Sequence, residues 1–400
     1  MKAGWKTVKL GEACSFVSRG VSPKYVEDEG ILVLNQKCVR NHRVLFDLAR
    51  RHDNLSKPFN EERLVRAGDV LVNSTGTGTL GRVAQVTEDP PEQATVDSHV
   101  SIVRPKKELF HLAYFGYAMI LIEPLIAEAG KGSGGQTELS REDLRNNFEI
   151  HIPTLAEQKR IVALLDEAFA GIDTLSSNAK TRSSEALRVF EQERDSFFAN
   201  SDNKYNETTI SEITTRLQYG TSEKSAPTGR YAVLRMGNIQ DGEIDYEDLK
   251  YTSSQEVIDQ YSLKPGDVLF NRTNSPQWVG KSAIYRGEMP AVFAGYNIRL
   301  HTITDKVDSE FLTFFLNSNR AISFGRSTFI SSVNQANINA EKLRSYRLPL
   351  PQLREQKAIA DRLGQIRKMS RELAAIYQNS LAQSHNLKAA ILRSAFNGTL

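Results

Sequence analysis

Cysteine is nearly absent from this 400-residue sequence, which contains only Cys14 and Cys38. Two isolated thiols cannot form a disulfide framework, nor can they fill a four-ligand zinc site unaided. They indicate a reducing compartment, and we expect the bacterial cytoplasm. The longest apolar stretch, residues 118–126, contains Glu123 and Pro124 and is too short to span a membrane. The first residues have no apolar run, so we expect no secretory signal.

The sequence also lacks an excess of charge of one sign. The 51 Lys and Arg residues nearly balance the 48 Asp and Glu residues, which leaves a net charge of +3. A surface that binds nucleic acid would therefore be a local patch, because the whole chain has no strong positive field.

Two glycine-rich motifs imitate cofactor sites without their context. Residues 76–81 fit G-x-G-x-x-G, but a strand-like run follows them, whereas a dinucleotide site needs a helix N-terminus there. We expect a glycine-rich hairpin. Residues 280–282 (Gly-Lys-Ser) resemble the end of a phosphate-binding loop, but Ser275 replaces its first glycine.

Other signatures of catalysis are also missing. The seven histidines are scattered without metal-ligand spacing, at positions 42, 52, 99, 111, 151, 301 and 385. We find no Asn-Pro-Pro-Tyr or Asp-Pro-Pro-Tyr run, and no well-placed Asp followed by Glu-x-Lys. We therefore predict no catalytic residue, no metal site and no cofactor on this chain.

An internal repeat organises the sequence. Residues 67–73 (Ala-Gly-Asp-Val-Leu-Val-Asn) return as residues 265–271 (Pro-Gly-Asp-Val-Leu-Phe-Asn), and residues 152–159 return as residues 350–357. Both pairs are 198 residues apart, and a third match, of residues 139–144 with residues 338–343, lies between them. The period is too long for a solenoid, so it indicates two duplicated modules.

Each module begins with a mixed globular part. Short β-rich runs separated by Gly, Pro and Asn turns alternate with helical stretches such as residues 109–122 and 310–324. The predicted strands include residues 70–72, 83–86, 100–103, 231–234 and 298–300. This pattern is typical of an α+β domain.

Each module ends in a predicted long helix that starts just after Pro153 or Pro351. Steps of four and three from Ile161 and from Ile359 give apolar seams of period 3.5, which are typical of a coiled coil. The first seam is interrupted at Arg182. A helix of about forty residues is about 60 Å long and cannot bury its own seam, so we expect the two helices to pack together. Two independent core helices are the alternative.

The predicted fold class is α+β, with two duplicated α/β domains and a long antiparallel two-helix coiled coil. The predicted segments are residues 1–152 and 201–350 for the two domains, and residues 153–200 and 351–400 for the helices.

The paired Pro-x-Leu-x-Glu-Gln-Lys motifs, the Gly-Asp-Val-Leu strands, the entry at residues 5–12 and the ending at residues 387–400 resemble specificity subunits of type I restriction–modification systems. The resemblance covers essentially the whole chain. It implies two target-recognition domains that each read one half of a split DNA site. It also implies that the helices act as a spacer and dock two modification (methyltransferase) subunits. S-adenosylmethionine, ATP and Mg would then bind partner subunits, including restriction subunits in the full complex.

Base edges are read by Arg, Asn and Gln, and phosphates are contacted by Lys, Ser and Thr. We predict that DNA is bound by residues on turns of both domains. In the first domain they are Arg19, Ser22, Lys24, Asn35, Gln36, Lys37, Asn73, Ser74, Thr75, Thr77, Lys131, Ser133 and Gln136. In the second they are Tyr219, Lys224, Arg235, Asn238, Arg272, Asn274, Gln277, Trp278, Arg326, Asn334 and Gln335.

The first helical turns carry six further candidates, Glu157, Gln158, Lys159, Glu355, Gln356 and Lys357. Glu is favourable at the positive end of the helix dipole, which gives these residues a role in helix initiation. The resemblance implies contact with a modification subunit. A stand-alone nuclease or methyltransferase with a divergent site is the alternative function, and a helical scaffold that binds no DNA is a third.

Overall fold

The computed structural model describes residues 4–130, 138–201, 204–328, 330–332 and 335–400, and of residues 328, 330–332 and 335 it describes the backbone alone. The described chain clusters into two compact units, Met1–Asn178 with Ser380–Leu400 and Ala179–Asn379. Each unit therefore contains one globular domain, part of one long helix and part of the other. Among the described helices, none has the length and apolarity that a membrane crossing requires.

The first domain combines twelve strands with three short or medium helices in its described part. The strands are β1 (Lys6–Lys9), β2 (Cys14–Arg19), β3 (Tyr25–Val26), β4 (Ile31–Leu34), β5 (Val39–Arg40), β6 (Arg43–Val44), β7 (Arg50–His52), β8 (Val70–Asn73), β9 (Val83–Gln85), β10 (Ala94–Val96), β11 (Val100–Pro105) and β12 (Glu149–Ile152). The helices are α1 (Leu10–Ala13), α2 (Leu112–Glu128) and α3 (Arg141–Asn146), and they are followed by the long helix α4 (Leu155–Ala199).

The second domain repeats this plan. Its strands are β13 (Glu207–Thr209), β14 (Thr214–Tyr219), β15 (Tyr231–Leu234), β16 (Ile239–Gln240), β17 (Glu243–Ile244), β18 (Lys250–Thr252), β19 (Val268–Asn271), β20 (Thr273–Asn274), β21 (Ser282–Ile284), β22 (Ala291–Phe293), β23 (Asn297–Thr302), β24 (Ile330–Ser332), β25 (Gln335–Asn337) and β26 (Arg347–Pro349). Its helices are α5 (Ile210–Ile213), α6 (Gln255–Tyr261), α7 (Ser309–Leu316), α8 (Asn319–Thr328) and α9 (Ala340–Arg344), and the long helix α10 (Leu353–Asn397) follows.

The antiparallel sheets of the two domains correspond strand by strand, whereas the sheet with the parallel pair has four strands in the first domain and three in the second. An antiparallel sheet has the order β2-β11-β8-β9 in the first domain and β14-β23-β19-β21 in the second. A second sheet contains the parallel pair β10–β4 in the first domain and β22–β15 in the second. The Gly-Asp-Val-Leu strands are β8 and β19, and all four residues of each are buried. The predicted duplication and α+β class are confirmed.

Most sequence-predicted elements are confirmed, with shifted bounds. Residues 76–81 form the connection of the antiparallel hairpin β8–β9, as expected. Helix α2 begins three residues later than predicted and continues through Pro124 to Glu128. The predicted helix at residues 310–324 is two helices, α7 and α8, because the chain turns at Asn317 and Ser318.

In the first unit, the start of α4 packs against the end of α10. Ile161, Leu165 and Phe396 lie in the main core of the first domain, and the Phe396 ring lies 4.7 Å from that of Tyr114. Lys388 Nζ donates to Asp173 Oδ1 at 2.5 Å. The packing of α4 and α10 here is antiparallel.

In the second unit, the end of α4 packs against the start of α10 in the same way. Phe198 contacts the rings of Phe311 and Phe315, and Leu363 joins the same core. Ser183 Oγ donates to the carbonyl oxygen of Ala374 at 3.3 Å. The predicted antiparallel pairing is confirmed, and the alternative of two independent helices is wrong.

The predicted seam of period 3.5 is only partly correct beyond Ile172 and Ser370, which are both buried. Ala179 and Ala186 are buried as predicted, but Leu175 is 64% exposed and Leu373 is 43% exposed. Ser176 and Ala374 take their places, and buried Ser183 replaces the exposed Arg182. Two successive steps of four, together with the adjoining step of three, make an eleven-residue stretch in each helix. Eleven residues in three turns fit a nearly straight α-helix. The shift occurs at the same repeat position in both helices.

Candidate nucleic-acid interface

Two loops of the first domain are joined where β8 ends. Asn73 is fully buried, and its Nδ2 donates to the carbonyl oxygen of Gln36 at 3.3 Å. Gln36 Nε2 donates in turn to Thr75 Oγ1 at 2.8 Å. The loop that follows β4 is thereby fixed against the loop that follows β8. Gln36 and Thr75 are half-buried and in direct contact.

Arg19, the last residue of β2, lies at the same end of the sheet. Its Nη2 donates to the carbonyl oxygen of Leu139 at 2.6 Å, and its Nη1 pairs with Glu138 Oε1 at 2.5 Å. Glu138 also forms a β-bridge with Thr75, whose hydroxyl lies 2.8 Å from His99 Nδ1. Sequence reasoning missed His99 and Glu138, because the expected readers of bases and phosphates were Arg, Asn, Gln, Lys, Ser and Thr.

The remaining candidates of the first domain have different surroundings. Lys24 pairs with Asp53 at 2.9 Å, and hydrogen bonds from Ser56 and Lys24 hold the pKa of the Asp53 carboxyl below its usual range. Asn35 caps the short 3-10 helix at residues 36–38. Ser74 is buried against Ser101. Ser22, Lys37 and Thr77 are exposed, while Lys131, Ser133 and Gln136 lie outside the described residues.

The second domain repeats the joint with different side chains. Asn271 is fully buried at the end of β19, and its Nδ2 donates to the carbonyl oxygen of Met236 at 3.3 Å. Arg272 follows at the position of Ser74. Its guanidinium donates to the carbonyl oxygen of Gly295 at 3.2 Å and to Asn337 Oδ1 at 3.3 Å. The same group lies 4.9 Å from the centre of the Tyr219 ring.

An aromatic side chain lies beside this arginine-containing loop. Trp278 is 47% exposed, and Lys281 Nζ lies 4.1 Å from the centre of its ring. Lys281 donates to Gln240 Oε1 at 2.6 Å, and burial lowers the pKa of its ammonium group. Lys281 and Gln240 were not predicted, because a lysine in a Gly-Lys-Ser sequence carries no signal for cation–π contact.

Other candidates of the second domain have mixed roles. Asn238 is buried and donates to the carbonyl oxygens of Asp245 and Glu247, so it shapes its own loop. Arg235 pairs with Asp248 at 3.1 Å. Asn274 Oδ1 accepts from the Ser275 amide. Lys224, Gln277 and Arg326 are exposed, whereas Asn334 and the side chain of Gln335 lie outside the described residues.

The glutamines of the Pro-x-Leu-x-Glu-Gln-Lys motifs are fully buried, unlike a surface contact. Gln158 accepts from the His111 amide at 2.8 Å and donates to the carbonyl oxygens of Leu109 and Pro153. Gln356 does the same with the Asp308 amide and the carbonyls of Lys306 and Pro351. Both side chains therefore fix the start of a long helix to the loop that precedes α2 or α7.

The other four motif residues lie nearer the surface. Lys159 and Lys357 are exposed. Glu157 pairs with Arg160 at 2.7 Å, and Glu355 pairs with Lys204 at 2.9 Å. Contact with a modification subunit stays a prediction, and the exposed lysines are its best placed members.

The described residues hold no group of three or more His, Cys, Asp or Glu side chains that could bind a metal ion. Both cysteines are free and buried, and burial raises the pKa of the Cys14 thiol to about 12. The polar clusters at the ends of β8 and β19 are suited to hydrogen bonding with a ligand edge.

Comparison with known proteins agrees with the internal repeat. The family model "Type I restriction modification DNA specificity domain" matches residues 2–181 and residues 204–379. The type I restriction enzyme EcoKI specificity subunit of Escherichia coli (strain K12) is 23% identical over 99% of this chain and 89% of its own length. The putative MjaX specificity subunit of Methanocaldococcus jannaschii is 35% identical over 32% of this chain and 31% of that protein.

Solved structures show the same fold. A chain from a study of complex assembly and conformational transition of the type I R-M system matches with a TM-score of 0.78 and 18% identity, and covers 100% of this chain and 99% of that one. The HsdS subunit from Thermoanaerobacter tengcongensis matches with a TM-score of 0.55 and 17% identity, over 100% and 98% of the two chains. With its repeated family domain and its paired long helices, this chain belongs to the type I restriction–modification DNA specificity family and is a DNA-specificity subunit of that kind.

Proposed function

We propose that each domain reads one half of a bipartite DNA target, while α4 and α10 set the spacing of the halves and dock two methyltransferase subunits. The chain itself catalyses no reaction in this proposal. S-adenosylmethionine, ATP and Mg bind the partner subunits, restriction subunits complete the complex, and the assembly works in the cytoplasm.

One observation carries this proposal. Asn73 and Asn271 make the same 3.3 Å hydrogen bond in the two domains, yet the residues around them differ. Gln36 corresponds to Met236, and Ser74 corresponds to Arg272. A constant scaffold with exchanged side chains is what two readers of unlike half-sites need, because base edges are distinguished by the donors and acceptors that face them.

The small net charge is compatible with this role, because DNA recognition needs only a local cationic patch. The half-buried Arg272 stacks on Tyr219, and Lys281 lies over the ring of Trp278. An Arg fork is suited to a guanine edge, while an ammonium group is suited to a phosphate.

The test is an electrophoretic shift with the methyltransferase subunits present, on DNA that carries the bipartite site. Replacing Arg272 with Ala should reduce discrimination at one half-site by about 1–3 kcal/mol, and replacing Gln36 with Ala should affect the other half-site. Equal loss at both halves would contradict separate reading. Metal-dependent cleavage or methyl transfer by the purified chain alone would instead favour an enzyme.

A further inference from the structure

The β16–β17 hairpin of the second domain lies directly beside the strand that follows the Arg272–Lys281 loop. Gly242, at the hairpin turn, forms a β-bridge with Ala283 of β21. Asp241 and Gly242 have φ angles of 48° and 82°, so the turn uses the left-handed region that Asp-Gly sequences favour. The hairpin is thus a compact element with a fixed turn.

Helix α10 contacts this hairpin through two arginines. Arg367 Nη2 pairs with Glu243 Oε1 at 2.6 Å, and only 10% of the arginine side chain is exposed. Its guanidinium lies 5.0 Å from the ring centre of Phe314 and 6.0 Å from that of Phe190. Arg371 Nη2 donates to the carbonyl oxygen of Asp241 at 3.2 Å.

The hairpin also contacts the proposed reading loop, through Gln240, which pairs with Glu243 across the two strands. Gln240 Oε1 accepts from Lys281 Nζ at 2.6 Å, and Lys281 covers the ring of Trp278 at 4.1 Å. The helix is therefore connected to the loop through the hairpin. Arg367 contacts Glu243 on one strand of the hairpin, and Gln240 on the other strand contacts Lys281, which lies over Trp278.

The first domain holds its corresponding hairpin differently. Its turn is at Asn41 and His42, and His42 Nε2 lies 3.1 Å from Glu123 Oε2 of α2. The helix position that corresponds to Arg367 is Phe169, whose ring packs against Tyr117 at 5.6 Å. The hairpin of the first domain is thus held by a helix of its own domain.

We infer that Arg367 is a positioning residue for recognition by the second domain: through Glu243 and the β16–β17 hairpin, it sets the placement of Lys281 and Trp278. The inference rests on the proposed function, and it extends it, because a partner that shifts α10 would alter reading of one half-site more than the other.

The first test needs no DNA. The chain has two tryptophans, Trp5 and Trp278, so a W5F background leaves Trp278 as the sole fluorescent reporter. In that background R367M and E243Q should increase acrylamide quenching and lower the fluorescence anisotropy of Trp278. R367K should restore part of both, because it keeps the charge that faces Glu243. E123Q, which affects the hairpin of the first domain, is the matched control and should change neither.

The second test uses the complex with methyltransferase subunits and DNA mismatched in one half-site at a time. R367M and E243Q should reduce discrimination at the half-site of the second domain about five- to tenfold and leave the other half-site unchanged. Unaltered Trp278 signals in both variants would overturn the inference whatever the DNA result. Altered Trp278 signals with equal loss at both half-sites would support the hairpin connection and contradict separate reading by the domains.

Discussion

Arg104 and Asp69 form a buried, two-point ion pair behind the first Gly-Asp-Val-Leu strand. Arg104 Nε and Nη2 donate to the two carboxylate oxygens of Asp69 at 2.7 and 2.8 Å, and Asp69 is 1% exposed. In the second domain the equivalent aspartate, Asp267, also pairs with an arginine. This partner is Arg299, at 3.1 Å, and it comes from a different position on its strand. The motif aspartate is therefore a structural residue in both domains.

Removing one member of this pair should be costly. We expect Arg104→Met to lower the free energy of unfolding by about 3 kcal/mol, because it leaves a buried carboxylate without its partner. Urea denaturation followed by circular dichroism measures the loss. The exposed pair of Arg51 and Glu92 provides the control, and Arg51→Met should leave the midpoint unchanged. Equal effects of the two substitutions would show that burial does not matter here.

The Pro-x-Leu-x-Glu-Gln-Lys motif should separate into two functions. Gln158→Ala should destabilise the chain by about 3 kcal/mol, because it leaves the His111 amide and two buried carbonyls without their side-chain partner. Lys159→Ala should leave thermal stability unchanged and weaken assembly with methyltransferase subunits, measured by analytical ultracentrifugation. Normal assembly of the Lys159→Ala protein would remove the predicted contact from this lysine.

The shifted seam can be tested by two truncations three residues apart. Ile172→Ala should lower the free energy of unfolding by about 2–3 kcal/mol, because a buried side chain leaves a cavity. Leu175→Ala should cost less than about 0.5 kcal/mol, because this leucine lies outside the seam. Thermal denaturation of both variants gives the comparison. A larger loss for Leu175 would restore the strict heptad.

Asp97 should make stability depend on pH. The residue is 4% exposed, and burial raises the pKa of its carboxyl above the usual value, although the amides of His99 and Val100 partly oppose this. Between the unfolded and folded pKa values the folded state binds more protons, so stability falls as pH rises through that interval and the loss persists at neutral pH.

Asp97→Asn should therefore raise the unfolding midpoint at neutral pH and reduce its decline from acid to neutral pH. The asparagine can still accept from the His99 amide, which makes the variant conservative. The second domain has Ala294 at this position and tolerates the absence of a charge. A midpoint that falls at neutral pH would show that the charged form is required.

Much of the fold could be predicted, because the repeated motifs and the prolines and glycines at the ends of the elements are recognisable in short stretches of sequence. The prolines before Leu155 and Leu353 marked the helix starts, and the glycines at positions 76 and 81 marked a hairpin. The seam shift could not be predicted, because Leu175 and Leu373 are as apolar as the other residues of the predicted seam. Whether they face the partner depends on the helical twist, which accumulates over several turns.

The sequence predicted which polar residues cluster on turns, but it did not predict which of them contact each other. Gln36 and Thr75 were placed together by the loops that follow β4 and β8, whereas the contact of Arg272 with Asn337 joins residues 65 positions apart. Gln158 looked like a surface residue because glutamine is usually exposed, and only the fold provides the amide and carbonyls that surround it.

The two buried thiols make the first domain a chemical reporter of its own opening. Cys14 and Cys38 both lie in that domain, and burial raises the pKa values of both thiols, so a maleimide should not label the native protein. The rate of labelling would then measure the rate of the local unfolding that exposes these thiols. The other half, which has no cysteine, would stay silent.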